Sequence, residues 1–184
     1  MLMGSSPYSK CLFLFLLHAC LLLSSTKKSS ALVQRPGSDL ITATCKRTAN
    51  FNLCIKTLRS NPQSFKSDVK GLALISLETS LAKTNQTLYN CGGLFKDTQD
   101  PVLYRLYGTC IEEFSSAAEK DLPGAISALK SNKYGDSKYG ADEAVRHANI
   151  VIEQFINRML PVLGQSLMVR DLCLIASSIV STLH

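Results

Sequence analysis

Apolar residues recur at intervals of three and four along most of this chain, the spacing that gathers them on one face of an α-helix. Leu74, Leu77, Leu81, Thr84, Leu88, Cys91 and Phe95 step 3-4-3-4-3-4 and predict a long helix from Ser67 or Asp68 to about Phe95, with Gly92-Gly93 weakening its last turn. Asp100-Pro101 offers an N-cap and a proline at the first helical position. Leu103, Tyr107, Cys110, Phe114 and Ala117 then step 4-3-4-3 on the next helix, and Pro123 starts or kinks a segment running to Leu129. Residues 131–140, SNKYGDSKYG, are polar, carry two glycines and read as a loop. Helix resumes at Ala141 with Ala144, Ala148, Val151 and Phe155 on its apolar face, until Pro161 and Gly164 break it. The last helix, Gln165 to His184, carries Met168, Leu172, Ile175, Ile179 and Leu183. Clustered turns and alternating β-branched runs are nearly absent, so the fold class is all-α, and residues 61–184 read as an antiparallel four-helix bundle.

Two segments precede that bundle. Residues 38–60 read as a helical hairpin, with Leu40 to Arg47 on one arm, a turn at Thr48-Ala49-Asn50, and Phe51 to Leu58 on the other. One cysteine lies on each arm, Cys45 and Cys54, and a bridge across this C-x8-C spacing would contribute about 2–3 kcal/mol by closing a small loop. Residues 1–30 have a weakly positive start ending at Lys10, an apolar run from Cys11 to Leu23, and then small and basic residues. That is the pattern of a secretory signal peptide, with cleavage expected between Ser24 and Ala31. The apolar run is too short for a bilayer, which takes about 20 residues.

Removing the leader changes the charge and the cysteine count. The chain carries 20 Lys+Arg against 14 Asp+Glu, and loss of Lys10, Lys27 and Lys28 reduces the excess from +6 to +3. Such a mildly basic surface is not the concentrated patch of a nucleic-acid binder. Cys11 and Cys20 leave with the leader, so the mature chain keeps five cysteines, an odd number, in a compartment that favours disulfides. No Cys-x-x-Cys and no Cys/His cluster with zinc spacing occurs, so no metal and no cofactor is expected. His147 lies on an apolar stripe and reads as packed rather than catalytic. Glu112-Glu113 and Asp142-Glu143 are helix neighbours whose side chains diverge by about 100°, and they read as solvated faces. Nothing assembles an active site, and the chain is read as a non-enzyme. Asn85-Gln86-Thr87 is a candidate N-glycosylation sequon.

The stretch Thr44-Cys45-Lys46-x-Thr48-x-Asn50-x-x-Leu53-Cys54, followed by an Asn-Pro turn and Gly71-Leu72-Ala73-Leu74-Ile75, resembles plant invertase and pectin methylesterase inhibitors. Looser matches continue at Cys110, at Leu122-Pro123-x-Ala125-Ile126-x-Ala128-Leu129 and at Ile175-Ala176-x-x-Ile179. The resemblance implies a four-helix bundle with an N-terminal helical hairpin extension, secreted to the apoplast and cell wall or sent to the vacuole. It also implies a protein target, acid invertase (β-fructofuranosidase), whose active-site cleft the inhibitor blocks. Pectin methylesterase is the alternative target, and a non-inhibitory ligand-binding or structural bundle a further one.

The Cys45–Cys54 segment is nearer the invertase branch. That branch uses a Pro-Lys-Phe element between the later helices, and its best match here is Asp136-Ser137-Lys138-Tyr139, the candidate target-binding loop. A cation beside an aromatic ring suits a sugar pocket lined with carboxylates. The family also bridges a third and a fourth cysteine. Cys110 fits the third, but Val151 stands at the fourth. This leaves Cys91, Cys110 and Cys173 as expected free thiols; a Cys91–Cys110 bridge would require the first long helix to continue past Gly92-Gly93.

Overall fold

Three of the helices start where the sequence supplies a side-chain cap. In the computed structural model, which describes residues 37–158 and 161–184, α1 spans Gly37–Cys45 and α2 spans Phe51–Ser60. Asn50 caps α2, its Oδ1 accepting from the Leu53 N–H at 3.1 Å. A short 3-10 turn, Pro62–Lys66, leads to α3, Val69–Asp97, whose first turn is capped by Asp68 Oδ1 accepting from the Gly71 N–H at 2.8 Å. Asp100 caps α4, Pro101–Ser116, by accepting from the N–H groups of Val102 and Leu103. Helices α5, Leu122–Lys130, α6, Tyr134–Phe155, and α7, Pro161–Val180, complete the order, and no strand occurs among the described residues. The expected leader lies outside the described residues.

Helices α4 and α5 form one rod joined by a π turn, Ala117–Asp121, in which the Leu122 N–H donates to the Ala117 carbonyl five residues back. The cause is Pro123. It has no N–H to give and its ring crowds the carbonyl four residues earlier, so the rod widens by one residue rather than breaking. With α4–α5 counted as one member, α3, α4–α5, α6 and α7 make the four-helix bundle. Helix α7 packs on α3 and α6, and the α4–α5 rod packs on the same two, so α3 and α6 stand on opposite corners. The α1–α2 hairpin lies on α3 and α7. By length and composition α7 could cross a membrane, but half of it is buried in the bundle, as befits a core helix.

The buried lines are not all where the bulkiest residues point. On α3 the centre of the interface is Ala73, Leu77, Ser80, Thr84, Thr87 and Cys91, while Leu74, Leu81, Leu88 and Phe95 flank it, half-buried. On α7 it is Val162, Ser166, Val169, Cys173, Ala176 and Val180, with Leu172, Ile175 and Ile179 also buried, while Met168 faces solvent. Small residues at the centre let the two axes approach closely, and larger ones close the sides. The hydroxyls cost little there, because Ser80, Thr84, Thr87 and Ser166 each donate to a carbonyl one turn back.

Two cysteine pairs join elements. Cys45–Cys54 links α1 to α2, with Cα atoms 5.5 Å apart. Cys91–Cys110 links α3 to α4 at 6.2 Å, so Cys91 and Cys110 are not the free thiols expected from the sequence. Helix α3 runs unbroken through Gly92-Gly93 to Asp97, about 9 Å beyond Cys91, and α4 climbs back about 13 Å from Pro101 to Cys110. The two residues therefore come nearly level. Cys173 is free and buried.

Candidate functional site

The stretch read from sequence as a loop is mostly helix. Only Ser131, Asn132 and Lys133 separate α5 from α6. Asn132 takes the left-handed conformation (φ 60°), its N–H donates to the Leu129 carbonyl, and the Lys133 N–H donates to the Ala128 carbonyl. This is a Schellman closure with asparagine in the place glycine usually fills. Lys70 of α3 clamps it, its Nζ donating to Asn132 Oδ1 at 2.6 Å, and the Tyr134 hydroxyl donates to the same oxygen at 3.1 Å. Helix α6 thus starts at Tyr134, seven residues before Ala141, with Asp136 in its first turn, where a carboxylate suits the helix dipole.

That early start redistributes the four candidate residues. Ser137 is fully buried at the head of the α6 stripe, Ser137, Ala141, Ala144, Ala148, Val151 and Phe155, and cannot meet a partner. Lys138 is not a free cationic tip. Its Nζ donates to Asp142 Oδ2 one turn on, and Asp142 Oδ1 accepts from the Ser177 hydroxyl of α7. Tyr139 lies about 100° further round, so it and Lys138 do not form one prong. It is 67% exposed and turns toward α5.

There it meets a groove of about 410 Å³ between α5 and α6, whose polar lining includes Lys120, Lys133 and Asp136 beside Tyr139. The floor is kept shallow by a close crossing at Gly140. A Cβ on Gly140 would lie 2.7 Å from the Asp121 carbonyl oxygen and 3.0 Å from the Ala125 Cβ. Asp121 belongs to the π turn, so the proline-induced widening of the α4–α5 rod and the glycine of α6 together shape the groove. Lys133 and Lys120 were not singled out in the sequence. Their position relative to Tyr139 depends on the α5–α6 turn, which no local spacing encodes.

Of the histidine and carboxylates noted in the sequence, His147, Glu113, Asp142 and Glu143 are tied to neighbouring side chains. His147 is 8% exposed, with Nδ1 2.6 Å from Glu113 Oε2 of α4 and Nε2 3.1 Å from Asp121 Oδ2. The second approach is out of line for a hydrogen bond, since Asp121 Oδ2 has no such partner among the described residues, and the Arg146 guanidinium also meets Nε2 at 3.2 Å. Arg146 in turn binds Glu143 at 3.0 Å, which with the neighbouring carboxylates holds the guanidinium above its ordinary range. Glu113, Asp142 and Glu143 are therefore not the simple solvated faces expected, because each is tied to a neighbour. Asn85 is exposed on the outer face of α3.

Comparisons with known proteins agree with this architecture. The family model described as "Plant invertase/pectin methylesterase inhibitor" matches residues 39–179. The chain is 34% identical over 107 residues to Cell wall / vacuolar inhibitor of fructosidase 1 of Arabidopsis thaliana, covering 58% of this chain and 50% of that protein. It is 32% identical over 157 residues to a pectinesterase inhibitor of Actinidia deliciosa, covering 83% of this chain and 81% of that protein. The crystal structure of a mutant form of a pectin methylesterase inhibitor from Arabidopsis superimposes with a TM-score of 0.71 at 24% identity, covering 78% of this chain and 97% of that one, a likeness of fold. The matched segment thus spans about half of the fructosidase inhibitor and four-fifths of the pectinesterase inhibitor.

Proposed function

The chain belongs to the plant invertase/pectin methylesterase inhibitor family, and from that premise we propose that it is a secreted, non-enzymatic inhibitor of acid invertase that docks its α5–α6 face into the enzyme's active-site cleft. The observation carrying this reading is the exposed Tyr139 ring, which lines a groove on that face together with Lys120 and Lys133. A glycosidase cleft presents carboxylates and flat surfaces on which sugars stack, and this face offers cations and a ring in complement. The two disulfides suit an oxidising destination, the apoplast and cell wall, with the vacuole as the other candidate address.

Pectin methylesterase is the second reading. It is favoured by one observation: the pectinesterase inhibitor of Actinidia deliciosa aligns with 83% of this chain, a longer match than the fructosidase inhibitor gives.

Titration of the mature protein against an acid invertase and, separately, a plant pectin methylesterase at mildly acidic pH tests both. Inhibition of invertase alone is the expected result. Inhibition of the esterase alone transfers the role to the second reading, and inhibition of neither sends the protein to a ligand-binding or structural class. For the docking face, Tyr139→Ala is expected to raise the inhibition constant about 30-fold, the effect of removing a ring that anchors an interface. Lys133→Ala should raise it less. Lys138→Ala should act more weakly than Tyr139→Ala, because Lys138 is engaged by Asp142. An unchanged constant for Tyr139→Ala removes the α5–α6 face from the mechanism.

A further inference from the structure

The outer face of α3 carries a line of residues that packing does not explain. Away from the buried line ending at Cys91 lie the exposed Asn85, Tyr89, Gly93 and Lys96, with Gly92 half-buried at their edge. Tyr89 is 82% exposed, and its ring and hydroxyl have no partner among the described residues. Two adjacent glycines inside a helix cost about 1 kcal/mol each relative to alanine. Nothing in the fold asks for them, because a Cβ at either Gly92 or Gly93 would meet no atom within 4 Å. The result is an exposed aromatic ring followed by a strip of bare backbone, one turn beyond an exposed sequon asparagine and bordering an open cavity of about 660 Å³ that Ile111, Pro161 and Gln165 also line.

We propose that Asn85 is N-glycosylated and that the first sugars of the glycan lie along this ridge, on the Tyr89 ring and over Gly92 and Gly93. Residues four apart on a helix are surface neighbours, so a sugar on the Asn85 amide reaches the Tyr89 face. A ring with an apolar face and a polar tip suits the C–H face and the hydroxyl edge of a pyranose. The missing side chains at Gly92 and Gly93 leave the next sugars unobstructed.

Thr87, the third sequon residue, is fully buried, and its hydroxyl donates to the Lys83 carbonyl at 2.9 Å. The sequon can therefore be read only before α3 packs, which places the transfer during export. In that step the Asn85 amide nitrogen displaces the pyrophosphate of a lipid-linked oligosaccharide donor. The N–C bond to the anomeric carbon forms, the C–O bond to the lipid pyrophosphate breaks, the electron pair leaves with the pyrophosphate, and the amide proton passes to a base of the transferring enzyme. The proposal rests on the export reading of the leader and not on the identity of the target. It puts the glycan on the corner of the bundle opposite α6, away from the Tyr139 groove.

The test is expression of the full chain through the secretory route of plant cells, followed by peptide mass mapping of the secreted protein. The peptide containing Asn85 should carry an N-acetylhexosamine-based mass increment, absent in Asn85→Gln and retained in Thr87→Ser. A secreted protein with unmodified Asn85 overturns the proposal. The seat is tested by thermal melting of the glycosylated protein and Asn85→Gln, each with Tyr89 and with Tyr89→Ala. The glycosylated form should melt a few degrees higher when Tyr89 is present and show no advantage in Tyr89→Ala. An equal advantage in both backgrounds overturns the ridge as the glycan's seat. Asn85 and Tyr89 are both exposed, so the variants test the glycan rather than the fold.

Discussion

Cys173 shows how much one buried atom can report. Its thiol lies in the seam between α7 and α3, where burial pushes it up to about 12 and a hydrogen bond with Ser80 opposes the shift. The unfolded thiol ionises near 9.0, well before the folded one. Stability from this group is therefore fully present below about pH 9 and falls as pH rises from there through about 12, because the unfolded chain gains by releasing a proton that the folded chain must keep. Chemical denaturation at a series of alkaline pH values should show the decline, and Cys173→Ala should flatten it. At pH 8 the native mature protein should resist thiol alkylation, and unfolding without reductant should release one reactive thiol per chain. A count of three would contradict the Cys91–Cys110 bridge. His147 offers a second test at this scale. Replacing it with Phe would take from Glu113 the ring nitrogen it meets at 2.6 Å, and leaving that half-buried acceptor unsatisfied costs about 1–3 kcal/mol. Urea melts at neutral pH should register the loss, and His147→Gln, which keeps a donor, should lose less.

At the scale of elements, the bundle depends on small residues where helices cross. Gly140→Ala should destabilise by about 1–3 kcal/mol, the cost of overpacking, because the new methyl meets backbone at the Asp121 carbonyl, which cannot rotate away. Gly93→Ala, where nothing is near, should stabilise the unglycosylated protein by up to about 1 kcal/mol through helix propensity. Thermal melts of both variants should move in opposite directions. The same preference for small residues explains what the sequence disclosed. Helices α4 and α6 were legible because their buried stripes, Tyr107, Cys110 and Phe114 on one and Ala141, Ala144, Ala148, Val151 and Phe155 on the other, are apolar. On α3 the periodicity located Leu77, Thr84 and Cys91 but favoured Leu74, Leu81 and Leu88 over the adjoining Ala73, Ser80 and Thr87; on α7 it located Leu172, Ile175 and Ile179 but passed over Ser166 and Ala176, since periodicity follows bulk while close approach selects small residues. The start of α6 was missed because Ser137 and Gly140, polar and glycine by composition, are buried by contact. Helix α3 runs to Asp97, close to the end read near Phe95, because two glycines weaken a helix only where tertiary packing and a disulfide do not hold it, and Cys91–Cys110 lies at that point. Of the candidate site, Tyr139 was identified from the sequence, while its companions Lys120 and Lys133 required the turn geometry.

The whole molecule separates its tasks by position. The α1–α2 hairpin packs on α3 and α7, and the Tyr139 groove lies between α5 and α6. The hairpin reaches the groove only indirectly, through α3 and the Lys70 clamp on Asn132. If the groove is the docking face, hairpin order and inhibition should be largely separable. Breaking the Cys45–Cys54 bridge by Cys45→Ser with Cys54→Ser removes a constraint worth about 2–3 kcal/mol, so the melting temperature should fall. The hairpin arms keep Ile41 and Leu58 fully buried, so below that melting temperature the bundle and the α5–α6 face should remain formed. The inhibition constant measured there should stay within about threefold of the parent, a change under 1 kcal/mol. Lys70→Ala makes the complementary case. It leaves both disulfides intact but releases the Schellman turn that launches α6, so it should weaken inhibition while costing less stability than the lost bridge. A double-serine variant that folds yet no longer inhibits would place the docking face on the hairpin instead, and the groove would then be a consequence of Pro123 and Gly140 with no part in binding.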